Sequence, residues 1–145
     1  MSAKSSLAID RLFGLAHVLG EAMHRHLGAS GLTPAKAELL LTLHRKGPLV
    51  QRRLSEHLGC TPRHVTGLVD ALSAAGLVGR SAHATDRRAI VVSLTASGEA
   101  VASQLEGSRS KGAADLFSGI SERDLATFVK VADAVLAKFG VSVDR

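Results

Sequence analysis

No tryptophan or tyrosine occurs in this chain, and phenylalanine appears only four times. Base-stacking platforms for single-stranded nucleic acid are built from such side chains, so their scarcity argues against that class of binder. A single cysteine, Cys60, excludes an intramolecular disulfide framework. No apolar run approaches the roughly 18 uninterrupted residues of a membrane-spanning helix, so no membrane partner is expected. The opening segment, MSAKSSLAIDRLFGLAHVLG, carries charge in its middle and no small-residue cleavage pattern, so no signal peptide is expected and a cytoplasmic location is the default. There is no Gly-rich phosphate loop, and neither Cys60 nor Ser55 sits in a recognisable triad order; the chain is expected to be no enzyme and to need no cofactor. What is present is ordinary for a folded chain: 145 residues, 46% apolar and 21% charged, the length of one domain.

Placement of charge is more informative than its total. From Arg45 to Arg88 there are eight basic residues (Arg45, Lys46, Arg52, Arg53, Arg63, Arg80, Arg87 and Arg88) against three acids (Glu56, Asp70 and Asp86), so this segment carries the whole net charge of +5. Basic clusters are usually solvated surface. Concentration within one helix-helix-hairpin unit is nevertheless the electrostatic footprint of a duplex binder.

That unit is legible in Thr61–Thr95. Thr61 can cap a helix with Pro62 at its first position, where the missing N–H costs nothing. Val65, Leu68, Val69 and Leu72 form one buried stripe, Arg63, His64, Thr66, Gly67 and Asp70 form the polar face, and Gly76 ends the helix. Two β patterns follow, Leu77–His83 and Ala89–Leu94, around a tip with two arginines at 84–88. Upstream, a helix is expected from Ser5 or Ser6 to Leu27, a break at 28–31, and a helix opening at Thr33-Pro34 and closing at Gly47. A short extended piece at 48–50 and a helix over Gln51–Leu58 complete the approach to the Gly59-Cys60-Thr61 turn. Downstream, Thr95 caps a helix with Val101 and Leu105 inward, a kink or loop is expected within Gly107–Ala114, and Ser121 opens a last helix stopped at Gly140. Two short helices joined by a three-residue turn form the DNA-binding helix-turn-helix geometry, and the basic hairpin supplies a wing. The fold class expected is mainly α with a small β-hairpin wing: a winged helix-turn-helix with helical dimerisation arms. Apolar terminal helices flanking a basic centre point to a homodimer.

Four segments in order, LTPAKAELLLTLHRKGPL, LSEHLGCTPRHVTGLVDALSAAGLV, DRRAIVVSLTASGEA and SERDLATF, resemble the MarR (multiple antibiotic resistance regulator) family along nearly the whole length. The resemblance implies one MarR-like domain over 1–145, with a DNA-binding lobe at 33–95 and a helical dimerisation region at 5–30 and 100–145. It implies a transcriptional regulator, a repressor or activator, acting on a pseudo-palindromic double-stranded operator and often relieved by a small anionic or phenolic ligand. Arg88 matches the family's minor-groove wing arginine, with Asp86 orienting it by a charge-assisted pair and Arg87 on phosphate or in solvent. Thr61, Pro62, Arg63, His64 and Thr66 stand at the recognition helix, and Ser55 is a phosphate candidate. Family members often carry a basic or polar side chain where this chain has Gly67. A ligand cavity lined by Leu12, His17 and His44 is implied by the same likeness.

Alternatives stay open at this level. His17, Glu21 and His24 lie on successive turns of one helix face and could, with His44, serve a metal-responsive regulator; solvated or core histidines are the default, and no metal site is assigned. Cys60, in a turn where an apolar residue usually packs, is expected to be a buried and inert thiol. A winged helix specialised for protein interaction, with weak DNA binding, is the second alternative, favoured by Gly67.

Overall fold

Three antiparallel strands in the order β1–β3–β2 form the small sheet that carries the wing: β1 (Leu49–Val50), β2 (Val78–Ala82) and β3 (Ile90–Leu94). Val78 faces Leu94, Arg80 faces Val92 and Ala82 faces Ile90 across the β2–β3 pair, while Leu49 and Val50 extend the sheet on the far side of β3. Partners across a strand share a face, so Val78, Val92 and Arg80 lie on one side of the sheet. Val78 and Val92 are buried there; Arg80 is where the hairpin leaves the core.

The computed structural model describes residues 2–141. Two units can be distinguished, one ending at Lys36 and one beginning at Ala37. The first is dominated by α1 (Ala3–Leu27), which begins earlier than its apolar pattern suggests because the Ser2 hydroxyl accepts the Ser5 N–H at 3.1 Å. His24, Arg25 and His26 stand in its last turn, where cations suit the helix dipole. A single 3-10 turn, Gly28–Ser30, follows. Of the described α1 residues only Leu27 is buried; Leu7, Ile9, Leu12, Phe13, Leu15, Val18, Leu19 and Met23 are exposed.

The second unit holds most of α2 (Pro34–Lys46), whose Leu39, Leu40, Leu41 and Leu43 are buried around nearly its full circumference. It also holds α3 (Gln51–Leu58), α4 (Pro62–Ala74), α5 (Ala96–Leu116) and α6 (Glu122–Ala137). The expected α4 stripe is buried in full, with Val65 and Val69 wholly inaccessible. Along one side of α2, three polar pairs reach α5: Glu38 with Arg109 at 3.0 Å, His44 with Glu99 at 2.6 Å and Arg45 with Glu106 at 2.8 Å. These are surface pairs of modest strength, and they fix the antiparallel register of the two helices more than they add stability.

The kink or loop expected within Gly107–Ala114 is absent: α5 runs unbroken through it. Glycine inside a helix costs about 1 kcal/mol without ending it; Arg109, between Gly107 and Gly112, is held to Glu38. In α6 the Ser121 hydroxyl accepts the Asp124 N–H and donates to the Asp124 carboxylate, a reciprocal cap. Phe128, Val129, Val131 and Leu136 of this helix are exposed, and Phe117 packs its ring 6.2 Å from that of Phe128.

One junction ties the wing to both flanking helices. Gly76, at φ +72, ends the α4 turn, and Thr95, the cap of α5, donates its hydroxyl to the Gly76 carbonyl at 2.6 Å while accepting the Gly98 N–H. The Thr95 N–H binds the Leu77 carbonyl at 3.1 Å. Gly98 packs so closely on that carbonyl that a Cβ would stand 1.9 Å from its oxygen. Gly98→Ala is therefore expected to lower stability by at least about 2 kcal/mol, whereas Gly107→Ala in the same helix, where an added Cβ meets no neighbour, should raise it by about 0.5–1 kcal/mol. Thermal unfolding followed by circular dichroism measures both.

Candidate nucleic-acid interface

Helix α4 starts where a helix with a threonine cap and a following proline must. The Thr61 hydroxyl accepts the His64 N–H at 3.2 Å, and Pro62 occupies the first helical position. Gly59 in the preceding turn is left-handed at φ +62, a conformation glycine adopts without strain. With one stripe committed to the core, Arg63, His64, Thr66, Gly67 and Asp70 are all exposed. A Cβ at Gly67 would meet nothing within 4 Å, so glycine there answers no packing need.

Several polar groups on this face are already engaged. The Thr66 hydroxyl donates to the Pro62 carbonyl at 2.9 Å and accepts from Gln51 Nε2 at 2.8 Å, which pins α4 to the start of α3. Asp70 pairs with Arg80 of β2, joining α4 to the hairpin. Sequence reading missed both links. The strand alternation that puts Arg80 on the face of Val78 was the available signal for the second. Gln51 offered none, since a polar residue opening a short helix usually faces water.

Ser55 needs correction. It is buried, and its hydroxyl donates to the Cys60 carbonyl at 2.5 Å, closing the turn between α3 and α4. A side chain committed in this way is a structural brace and is not on hand for phosphate. Cys60 itself is half-buried rather than buried, with its thiol 3.5 Å from the Leu58 carbonyl.

At the wing tip the expected partnership of Asp86 and Arg88 exists in altered form. Asp86 Oδ1 accepts the backbone N–H of Arg88 at 3.0 Å and makes no ion pair with its guanidinium. Two residues is the span of an Asx-turn, and a carboxylate so close finds the backbone donor first. Among the described residues, Arg52, Arg63, Arg87 and Arg88 are exposed and have no acidic partner; Arg45, Arg53 and Arg80 are paired with Glu106, Glu56 and Asp70. The positive charge read from sequence is thus thinned to a smaller free set, concentrated on α3, α4 and the wing.

Leu12 and His17 are exposed on α1, and His44 is half-buried with its Nδ1 donating to Glu99. Among the described residues no group of three or more His, Cys, Asp or Glu side chains could hold a metal ion, so His17, Glu21, His24 and His44 do not form one. No helix of the described residues is long and apolar enough to cross a membrane.

Residues 32–90 match the MarR family. The chain is also 30% identical over 139 residues to the HTH-type transcriptional repressor YetL of Bacillus subtilis, an alignment covering 92% of this chain and 81% of that one. The chain belongs to the MarR family. Among solved structures of this fold, the transcriptional regulator PA3341 superimposes with a TM-score of 0.76 at 30% identity, over 90% of this chain and 96% of the other. Staphylococcus aureus MepR, solved as a complex with DNA, superimposes with a TM-score of 0.78 at 20% identity, over 95% and 99% of the two chains. In MarR terms α3 and α4 are the helix-turn-helix and β2–β3 the wing, as the sequence motifs implied.

Because Ser55 braces a turn, Ser55→Ala should lower stability by about 1–2 kcal/mol, leaving the Cys60 carbonyl without its donor. Urea unfolding would show a reduced midpoint. An unchanged midpoint, with a weakened salt dependence of duplex binding instead, would restore Ser55 to the phosphate contacts.

Proposed function

We propose that this MarR-family chain is a sequence-specific double-stranded-DNA-binding transcriptional repressor acting as a homodimer. The observation that carries the reading is the charge left unpaired by folding: Arg63 on the exposed face of α4 and Arg87 and Arg88 at the wing tip, on elements locked together by the Asp70–Arg80 pair. In this reading α4 enters a major groove, with Arg63 and His64 toward base edges and the Thr61–Pro62 end against phosphate. The wing, Ala82–Ile90, sets Arg88 against the adjacent minor groove, where narrow A·T-rich tracts concentrate negative potential. Asp86 supports it by fixing the backbone from which the guanidinium extends.

Homodimerisation is supported by the apolar side chains left in water on the terminal helices, among them Phe13 at 70% exposure on α1 and Phe128 and Val131 on α6. Exposed apolar surface on this scale in a chain of this size marks an interface. A two-fold pair of lobes would read half-sites about one helical turn apart. YetL is named a transcriptional repressor and MepR was solved on DNA; both support the reading by kinship. Relief by a small ligand completes the proposal, and displacement of bound duplex by small anionic or phenolic compounds tests it.

Arg88→Ala should weaken binding to a duplex from the DNA upstream of its own coding sequence by about tenfold or more, and flatten the dependence of log K on log salt by about one. Electrophoretic shift at two salt concentrations reads both, and unchanged affinity would remove Arg88 from the site. Asp70→Asn, which removes the negative charge while leaving an amide oxygen to accept from Arg80, should instead tighten binding and steepen the salt dependence. Sedimentation velocity should show a dimer; a monomer at working concentration would overturn the assembly.

A further inference from the structure

The tip of the wing is held from inside by a histidine. His83 Nδ1 stands 3.1 Å from the backbone nitrogen of Asp86 and 3.3 Å from that of Thr85, with the Thr85 hydroxyl at 3.4 Å. Backbone N–H groups can only donate. Nδ1 must therefore carry a lone pair and the ring proton must be on Nε2, which requires the neutral imidazole. The bonds continue along the tip: Asp86, whose N–H is so held, accepts the Arg88 N–H at its carboxylate and the Ala89 N–H at its carbonyl, and the Ala89 carbonyl accepts the His83 N–H. The imidazole thus holds the Asp86 backbone, and the Asp86 carboxylate in turn holds that of Arg88.

We propose that His83 is a positioning residue for the DNA-reading tip and that its protonation releases the tip, making duplex binding weaken in acid. A proton added at Nδ1 turns the acceptor into a donor facing two other donors, so both backbone bonds are lost together. The groups around the ring are few. Asp86, Arg87 and Arg88 belong to the tip itself; β2 ends below it at Ala82, and β3 opposite begins at Ile90 after Ala89, none of them titratable. The next charge down the hairpin, Arg80, is already paired with Asp70. Asp86 is the carboxylate of the tip, and it is engaged by the Arg88 N–H.

The sign separates this role from the ordinary one. An exposed histidine that touches phosphate binds DNA more tightly once charged. A histidine that must stay neutral to hold the tip does the reverse, because an unfixed tip presents Arg88 correctly for only a fraction of the time and the apparent affinity falls by that fraction. Asparagine at this position offers an oxygen to the N–H groups two and three residues on, as in an Asx-turn, and does not titrate.

The test compares the full-length wild type, His83→Asn and His83→Ala. The effect on DNA rests on the reading given under Proposed function, so the same duplex from upstream of the coding sequence is used at constant ionic strength, at about pH 8 and about pH 5.5. Wild type and His83→Asn should bind alike at the higher pH. At the lower pH the wild type should bind about three- to tenfold more weakly than His83→Asn, while His83→Ala should be weaker than His83→Asn at both. A ratio that does not move with pH, or a wild type that gains on His83→Asn in acid, overturns the proposal. Nuclear magnetic resonance of the free protein decides the point even if no duplex binds, an outcome that would sink the DNA-binding reading alone. The His83 ring should be the Nε2–H tautomer at about pH 8, and the Thr85 and Asp86 amide resonances should shift with the midpoint of the ring. An Nδ1–H tautomer, or amides indifferent to the ring, overturns it.

Discussion

Two consecutive carbonyl groups, those of Gly76 and Leu77, hold this lobe to its working shape. They lie where the recognition helix ends and the wing begins, and both accept hydrogen bonds from Thr95, where the wing ends and the long α5 helix begins. The side chain and the backbone of one threonine thus close the hairpin at its base. Gly98 must be small because its helix turn sits directly on the second of these carbonyls. The Leu-Thr-x-x-Gly run from Leu94 to Gly98 has a physical reading: a strand end, a helix cap that faces backward as well as forward, and a residue with no side chain where backbones meet.

From that base the wing is positioned as a body but shaped locally. Its inner face is fixed by Val78 and Val92 in the core, then by Arg80 on Asp70 where apolar contact runs out. Beyond Ala82, the hydrogen bonds that shape the tip are with its own residues. The two halves of the hairpin therefore answer to different forces. Packing sets where the wing points, and a short run of backbone and side-chain bonds sets what its tip presents.

Much of this was legible in the chain, because the signals were of the kind that local chemistry enforces. The α4 stripe, the threonine caps of α4 and α5, the Ser121 cap of α6 and the short strand at 49–50 all follow from periodicity, capping or turn residues, and each falls where expected. Elements that depended on a competition were read less well. Small residues over 107–114 suggested a break, yet nothing in them forbids a helix, and α5 continues. Ser55 resembled a surface hydroxyl until the chain turned at Gly59 and brought the Cys60 carbonyl to it. His83 looked like the end of a strand, and its bonds to residues two and three positions ahead appear only once the tip has folded. Side chains that satisfy backbone within a turn leave almost no periodic trace.

The same distinction bears on how a protein of this kind could be controlled. α4, the base of the wing and the start of α5 are joined by covalent continuity, a buried stripe, an ion pair and the Thr95 bonds, so they cannot easily change shape with respect to one another. An effector acting on the helices has one option that does not break the core: moving this lobe as a unit. A change in the state of the tip is a separate route, since a few local bonds can be lost there while the buried stripe of α4 stays in place. Position and presentation are then independent variables. A regulator built this way can lose its operator by either one, and the amount of packing disturbed distinguishes them: lobe movement must disturb contacts made by the long helices, whereas tip release disturbs only the residues from His83 to Ala89.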